Sequence, residues 1–151
     1  MEKSSVTGIF VTDDVALISC ECKECDPYFV YKILNLISPL NIKSGMVTTS
    51  FIPSKECKVT FAINQNMLIS ALKALNDIKD IFLTVNGMNT KISIVGNGLS
   101  DTEFIVKNIL DPLYDCDADI KLITTSPSEI SLVLSQSKTD MFLKCLNHLI
   151  N

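Results

Sequence analysis

The chain is poor in several things, and each shortage removes a class of function. Among 151 residues there is no Trp, a single His and only 7% aromatic residues. Lys, Asn, Ser or Asp interrupts every apolar stretch before it reaches the roughly 20 residues needed to cross a bilayer, so no membrane partner is expected. The start, Met1-Glu2-Lys3-Ser4-Ser5 running into the apolar residues 6–11, is too short for the h-region of a secretory signal. The expected location is the cytoplasm. Lys is spread along the chain instead of forming a basic stripe, and the net charge is −4, so a phosphate-binding footprint is missing and nucleic acid is not an expected partner.

Catalytic signatures are also scarce. Gly96-Asn97-Gly98 is part of a G-x-G-x-x-G pattern, but a dinucleotide site would also need a third Gly and a larger βαβ sheet. No P-loop occurs. His148, beside Leu146 and Leu149, has no Cys or Ser nucleophile tied to it in sequence and reads as a helix-end residue. The six Cys stand at 20, 22, 25, 57, 116 and 145. Cys20, Cys22 and Cys25 with Cys57 or His148 offer four zinc-ligand types, yet the paired C-x₂-C spacing of structural zinc sites is absent. The cysteines read as reduced thiols, with no metal and no cofactor expected.

What is present is a duplication. Leu72-Lys73-Ala74-Leu75-Asn76 recurs as Leu143-Lys144-Cys145-Leu146-Asn147, 71 positions on (143 against 72), and Val59-Thr60-Phe61-Ala62-Ile63 keeps that offset to Ile130-Ser131-Leu132-Val133-Leu134. Upstream, Val47-Thr48-Thr49-Ser50 matches Ile123-Thr124-Thr125-Ser126 at 76 (123 against 47), and Leu40-Asn41-Ile42 matches Ala118-Asp119-Ile120 at 78 (118 against 40). The change in register falls between the second and third strands of each copy, where copy one is expected to carry the longer loop 51–57.

Periodicity gives the elements. A short strand at 15–19 corresponds to Ile92, Ile94 and Val95 in copy two. A helix follows, from about Pro27 through Val30, Ile33, Leu34 and Ile37 in copy one. In copy two it opens on the capping-box form Ser100-Asp101-Thr102-Glu103 and continues through Ile105, Ile109 and Leu113. Strands are then expected at 40–48 with 57–63, and at 118–125 with 129–134. A second helix carries Met67, Leu68, Ala71, Leu72, Leu75 and Ile78 in copy one, matched by Met141, Phe142, Cys145, Leu146, Leu149 and Ile150. A fourth strand, 81–85, completes copy one. Copy two stops after its second helix, and the surplus strand 6–11, joined through Thr12-Asp13-Asp14, is expected to complete its sheet. The expected class is α+β: two ferredoxin-like βαββαβ modules, interleaved through the N-terminal strand, spanning 12–87 and 6–11 plus 88–151.

Several separated motifs in order carry a resemblance. Lys91-Ile92-Ser93-Ile94-Val95-Gly96-Asn97-Gly98-Leu99, then Ile120-Lys121-Leu122-Ile123-Thr124-Thr125-Ser126 and Glu129-Ile130-Ser131, are similar to the second ACT module of aspartate kinases. Val6-Thr7-Gly8-Ile9 resembles the strand that leads into the paired ACT modules of that family. In copy one, Asp26-Pro27-Tyr28 stands where the family has a Pro-Gly turn, and Ser44-Gly45 follows Lys43 as an apparent insertion. In copy two, Pro127-Ser128 is added before Glu129.

The resemblance implies a regulatory amino-acid-binding region, without a catalytic site of its own, that mediates feedback control of an aspartate kinase by an aspartate-family amino acid such as lysine or threonine. It implies partnership with the kinase catalytic domain and a homodimer. The alternative is a dimerisation and assembly module that has lost effector binding. Family effectors lie between the loop after the first strand and the start of the second, at an interface between modules. That position implicates Asp26, Tyr28, Asn41, Ile42 and Lys43 in one set, and Asn97, Gly98, Asp117, Asp119 and Ile120 in the other. The start of the first helix offers unpaired N–H groups to a carboxylate. Asp117 and Asp119 suit an ammonium group or a lysine side chain.

Overall fold

The structure, a computed structural model, describes the chain apart from residues 1–2, 24–27, 43–45, 53–54 and 151. In chain order the elements are β1 (Ser5–Cys22), α1 (Phe29–Ile37), β2 (Val47–Ile52), β3 (Glu56–Asn64), α2 (Leu68–Leu75) and β4 (Ile81–Asn97). They continue with α3 (Thr102–Ile105, a π-turn at Val106–Leu110, and Asp111–Asp115), β5 (Ile120–Thr125), β6 (Glu129–Ser135) and α4 (Gln136–Leu146). Contacts between Cα atoms divide the chain into two compact units, Val15–Gly87, and Met1–Asp14 with Met88–Asn151.

The unit Val15–Gly87 has the strand order β2-β3-β1-β4. β1 and β3 are antiparallel with Ile18 opposite Phe61, and β2 lies antiparallel on β3 with Val47 opposite the same Phe61. Alternation puts Ala16, Ile18, Cys20, Val59, Phe61 and Ile63 on one face. There they form a buried cluster with Phe29, Ile33 and Ile37 of α1 and Ala71 and Leu75 of α2. The four-residue spacing of the α1 set places it along one stripe of the helix.

The other unit repeats this plan, with β1-β4-β6-β5 as its order. Ile92 lies opposite Leu132, and Leu132 opposite Ile123, the same three-strand relation that Ile18, Phe61 and Val47 have. Its core gathers Ile92, Ile94, Ile109, Leu113, Ile130, Leu132, Leu134, Phe142 and Leu146. The fourth strand comes from the start of the chain. The Thr7 hydroxyl donates to the Val95 carbonyl and the Thr90 hydroxyl to Asp13, so residues 5–14 run antiparallel to the second half of β4. Each unit is a βαββαβ module, and the two are interleaved through the N-terminal strand.

Several local expectations change. Thr12-Asp13-Asp14 is not a joint between strands: β1 runs through it, and β4 likewise fuses the expected strands 81–85 and 92–95. Both strands pass from one unit to the other at a residue with left-handed backbone, Asp14 (φ 56) and Met88 (φ 59). The second strand of copy one starts at Val47, because α1 is prolonged by a 3₁₀ turn, Ser38–Leu40, that leads into Asn41. β2 then extends to Ile52, so the loop that separates it from β3 is shorter than 51–57. In α4 the buried residues are Thr139, Phe142 and Leu146, while Met141 and Ile150 are exposed. The offset of 71 that aligns Leu146 with Leu75 pairs Phe142 with Ala71, and this pairing sets the stripe. The π-turn ends two residues before Pro112, whose missing N–H and ring interrupt the regular ladder.

Candidate functional site

Two ends of each module matter: the turn from its first strand into its first helix, and the turn from that helix into its second strand. In copy two the first of these is built around Gly96 and Gly98. A Cβ on Gly96 would lie 1.9 Å from the Ser5 carbonyl oxygen, so only Gly admits the N-terminal strand there. Gly98 takes φ +65, and the Ser4 hydroxyl donates to its carbonyl at 2.8 Å. The Gly-Asn-Gly run therefore seats a strand of this chain. The Gly96 N–H donates to the Ser128 carbonyl and the Leu99 N–H to that of Pro127, both at 3.0 Å, which fastens the turn to the β5–β6 hairpin. Pro127 and Ser128, additions with respect to the family pattern, thus supply two of its backbone acceptors.

At the start of α3 the cap is Asp101, whose carboxylate accepts the Glu103 N–H at 3.0 Å, instead of a Ser100–Glu103 box. A negative group already occupies the place where a helix start favours an anion. Glu103 pairs with Lys107 at 2.6 Å, and that hydrogen bond and charge hold its carboxyl below the usual range. α1 begins differently, at an exposed Tyr28 with no side-chain cap and no acid in its first turn.

At the other end, α3 closes in a Schellman motif. The Ala118 N–H reaches the Leu113 carbonyl at 3.0 Å and the Asp117 N–H that of Tyr114 at 3.1 Å, with Asp117 at φ 52. Ala118 and Leu113 are both buried, the apolar contact that accompanies such ends. Asn41 at φ 53 holds the same left-handed position after the 3₁₀ turn of copy one. Asn41 therefore corresponds to Asp117, at the offset of 76 (117 against 41) that also relates β2 to β5, and not to Asp119. The misalignment by two arose because the turn geometry, which the residue types at 40–42 do not reveal, sets the register.

Asp115, Asp117 and Asp119 are all exposed where α3 ends, beside its negative pole. Ile120 starts β5 half-buried. The β5–β6 register slips between Ile120 and Leu122, and at this bulge the Lys121 ammonium donates to the side-chain oxygen of buried Asn89. Sequence reasoning missed Lys121 and Asn89, since no residue-type signal marks a bulge. In copy one, Asn41 and Ile42 border a hollow of about 350 Å³ with Leu34, Ile37, Val47 and Phe61, mostly apolar and able to take a small aliphatic group. Asp26 and Lys43 lie outside the described residues.

Within one module, then, Asn97 and Gly98 sit at one end of the sheet and Asp117, Asp119 and Ile120 at the other. Val95 lies opposite Glu129 and Ile120 opposite Leu134. Five residues of strand separate those positions, about 17 Å at ~3.4 Å per residue. Tyr28 and Asn41 are likewise at opposite ends of α1. A single small ligand cannot touch both ends of one module.

Of the cysteines, Cys20 is buried and its thiol pushed up to about 12 by that burial. Cys22 lies opposite Cys57 across β1 and β3. Cys25 lies outside the described residues, and among those described no group of three His, Cys, Asp or Glu is placed to hold a metal ion. No described helix is long and apolar enough to cross a membrane.

No protein-family model matches the chain. An aspartate kinase of Pseudomonas fluorescens is 26% identical over 151 residues, a match that takes in 97% of this chain and 37% of that protein. The chain thus spans little more than a third of the curated relatives it matches. The crystal structure of the regulatory subunit of aspartate kinase from Thermus thermophilus, in a ligand-free form, superposes with TM-score 0.84 at 21% identity, covering 97% of this chain and 99% of that one. E. coli aspartokinase III in complex with lysine and aspartate superposes with TM-score 0.70 at 16% identity, covering all of this chain and 35% of that one. The similarity falls on the regulatory part of these kinases.

Proposed function

We propose that this chain is the regulatory, amino-acid-binding ACT region of an aspartate kinase, and that it imposes feedback control by an aspartate-family amino acid such as lysine or threonine. The observation that carries the reading is the fold match along 97% of the chain to a Thermus aspartate kinase regulatory subunit, of which it covers 99%. The E. coli enzyme that superposes on it is recorded with lysine and aspartate. The exposed aspartates at the negative pole of α3 suit the ammonium or side chain of such an effector. Because the two ends of each module are far apart, the effector contacts one end of a module in this chain together with a module of a second copy. It shifts the attached catalytic domain by binding one conformational state more tightly than the other. A cytoplasmic homodimer joined through module edges provides such pairs of ends.

Titration calorimetry of this chain with lysine, threonine and methionine tests the reading. Saturable heat with one of them, and a rise in Tm with its concentration, supports it. No heat and no thermal shift with any overturns it.

A second reading, an assembly module without effector binding, draws on copy one, where an exposed Tyr28 replaces the family's turn glycine. Dimerisation by light scattering together with silence towards all three amino acids selects it.

A further inference from the structure

The Cys116 and Cys145 sulfurs lie 3.7 Å apart, in van der Waals contact. Cys116 closes α3 directly before Asp117, and Cys145 lies in the last turn of α4. Cys116 is buried and Cys145 half-buried, so Cys145 is the more accessible of the two to a reagent in solution. A disulfide needs about 2.05 Å between sulfurs, so oxidation has to draw this pair at the two helix ends together by roughly 1.7 Å. In copy one the equivalent positions hold Leu40, before left-handed Asn41, and Ala74. An ordinary apolar pair fills this place in the same fold, so packing does not call for two thiols.

We infer that Cys116 and Cys145 form a redox-modifiable pair that a low-molecular-weight disulfide converts into an intramolecular bond. The Cys145 thiolate attacks one sulfur of the reagent and expels a thiolate, leaving a mixed disulfide. The Cys116 thiolate then attacks the Cys145 sulfur and expels the second. The reagent takes up two electrons and leaves as two thiols, carrying the two protons the cysteines lost. The bond ties the end of α3, and with it the turn through Asp117 to Ile120, to α4.

The other described cysteines are placed differently. Cys20 is fully buried in the core of its own module. Cys22 and Cys57 face each other across two paired strands and are the rival couple.

The experiment exposes the chain to oxidised glutathione, then maps disulfides by mass spectrometry after alkylation and follows Tm without reductant. The expected product has lost two hydrogens, carries the 116–145 linkage, and melts about 5–10 °C higher, from closing a loop of some 30 residues. Cys145→Ser should abolish the linkage. The double variant Cys116→Leu, Cys145→Ala, which installs the pair of copy one, should fold and show no shift with the reagent. A stable glutathione adduct at Cys145 without closure, a linkage mapped to Cys22 and Cys57, or no reaction at all would each overturn the inference.

Discussion

Gly96 lies so close under Ser5 that a Cβ on it would stand 1.9 Å from the Ser5 carbonyl oxygen. The contact joins residues 91 positions apart (96 against 5) and fixes the N-terminal strand against β4. Gly96→Ala must push the strand away or distort the turn. We expect a loss of roughly 2 kcal/mol or more, read as a lower urea midpoint. An unchanged midpoint would mean that residues 5–14 do not sit on β4 in solution.

Met88 carries a side chain at φ 59 and is largely exposed, so little packing offsets the left-handed backbone. That conformation costs a non-glycine residue about 1–2 kcal/mol. Met88→Gly should raise stability by up to about 1 kcal/mol, less the entropy that Gly adds to the unfolded chain. Met88→Ala, which keeps the Cβ, should show no such gain in the same denaturation series.

Asp117 occupies the left-handed position of a Schellman end, where Gly is the favoured residue. Asp117→Gly should leave the fold intact and raise Tm by a few degrees or less. If the carboxylate also holds an effector ammonium, the same variant weakens the calorimetric response by about tenfold, the loss of one charge-assisted hydrogen bond. Unchanged affinity would reduce Asp117 to a helix end.

Burial lifts the Cys20 thiol from 9.0 to about 12. A folded-state value above the unfolded one means that the stability it represents is complete below pH 9.0 and is lost as pH rises towards about 12, because the unfolded chain ionises first. Cys20→Ala should therefore flatten the alkaline limb of the stability profile. In the native wild-type chain at pH 9.0, iodoacetamide should label Cys145 well before Cys20.

Much of the fold was legible because duplication carries its own check. Phe61 and Val47 align with Leu132 and Ile123 at the offsets of 71 and 76 read from sequence, and the strand registers reproduce the alignment. The strand at 6–11 has no counterpart in the duplication, and in the structure the Thr7 hydroxyl donates to the Val95 carbonyl of β4. The boundaries around Asn41 and Asp117 were less legible. Left-handed helix ends at Asn or Asp leave a weaker mark in residue type than Gly does, so the alignment slipped by two residues there. Asp117 reads equally well as a ligand group and as a helix-end residue, and only hydrogen-bond geometry gives it the second role.

Sequence alone determined the period of each element, the two copies and the surplus strand, since these follow from which side chains must leave water and how often they recur. Tertiary structure decided what sequence spacing cannot encode: that Gly96 yields to Ser5, that Lys121 bulges towards Asn89, that Cys116 meets Cys145, and that the two halves of each proposed effector set stand at opposite ends of a module. Each of these is a distance across the fold between residues far apart in the chain, set by how strands pair and helices pack.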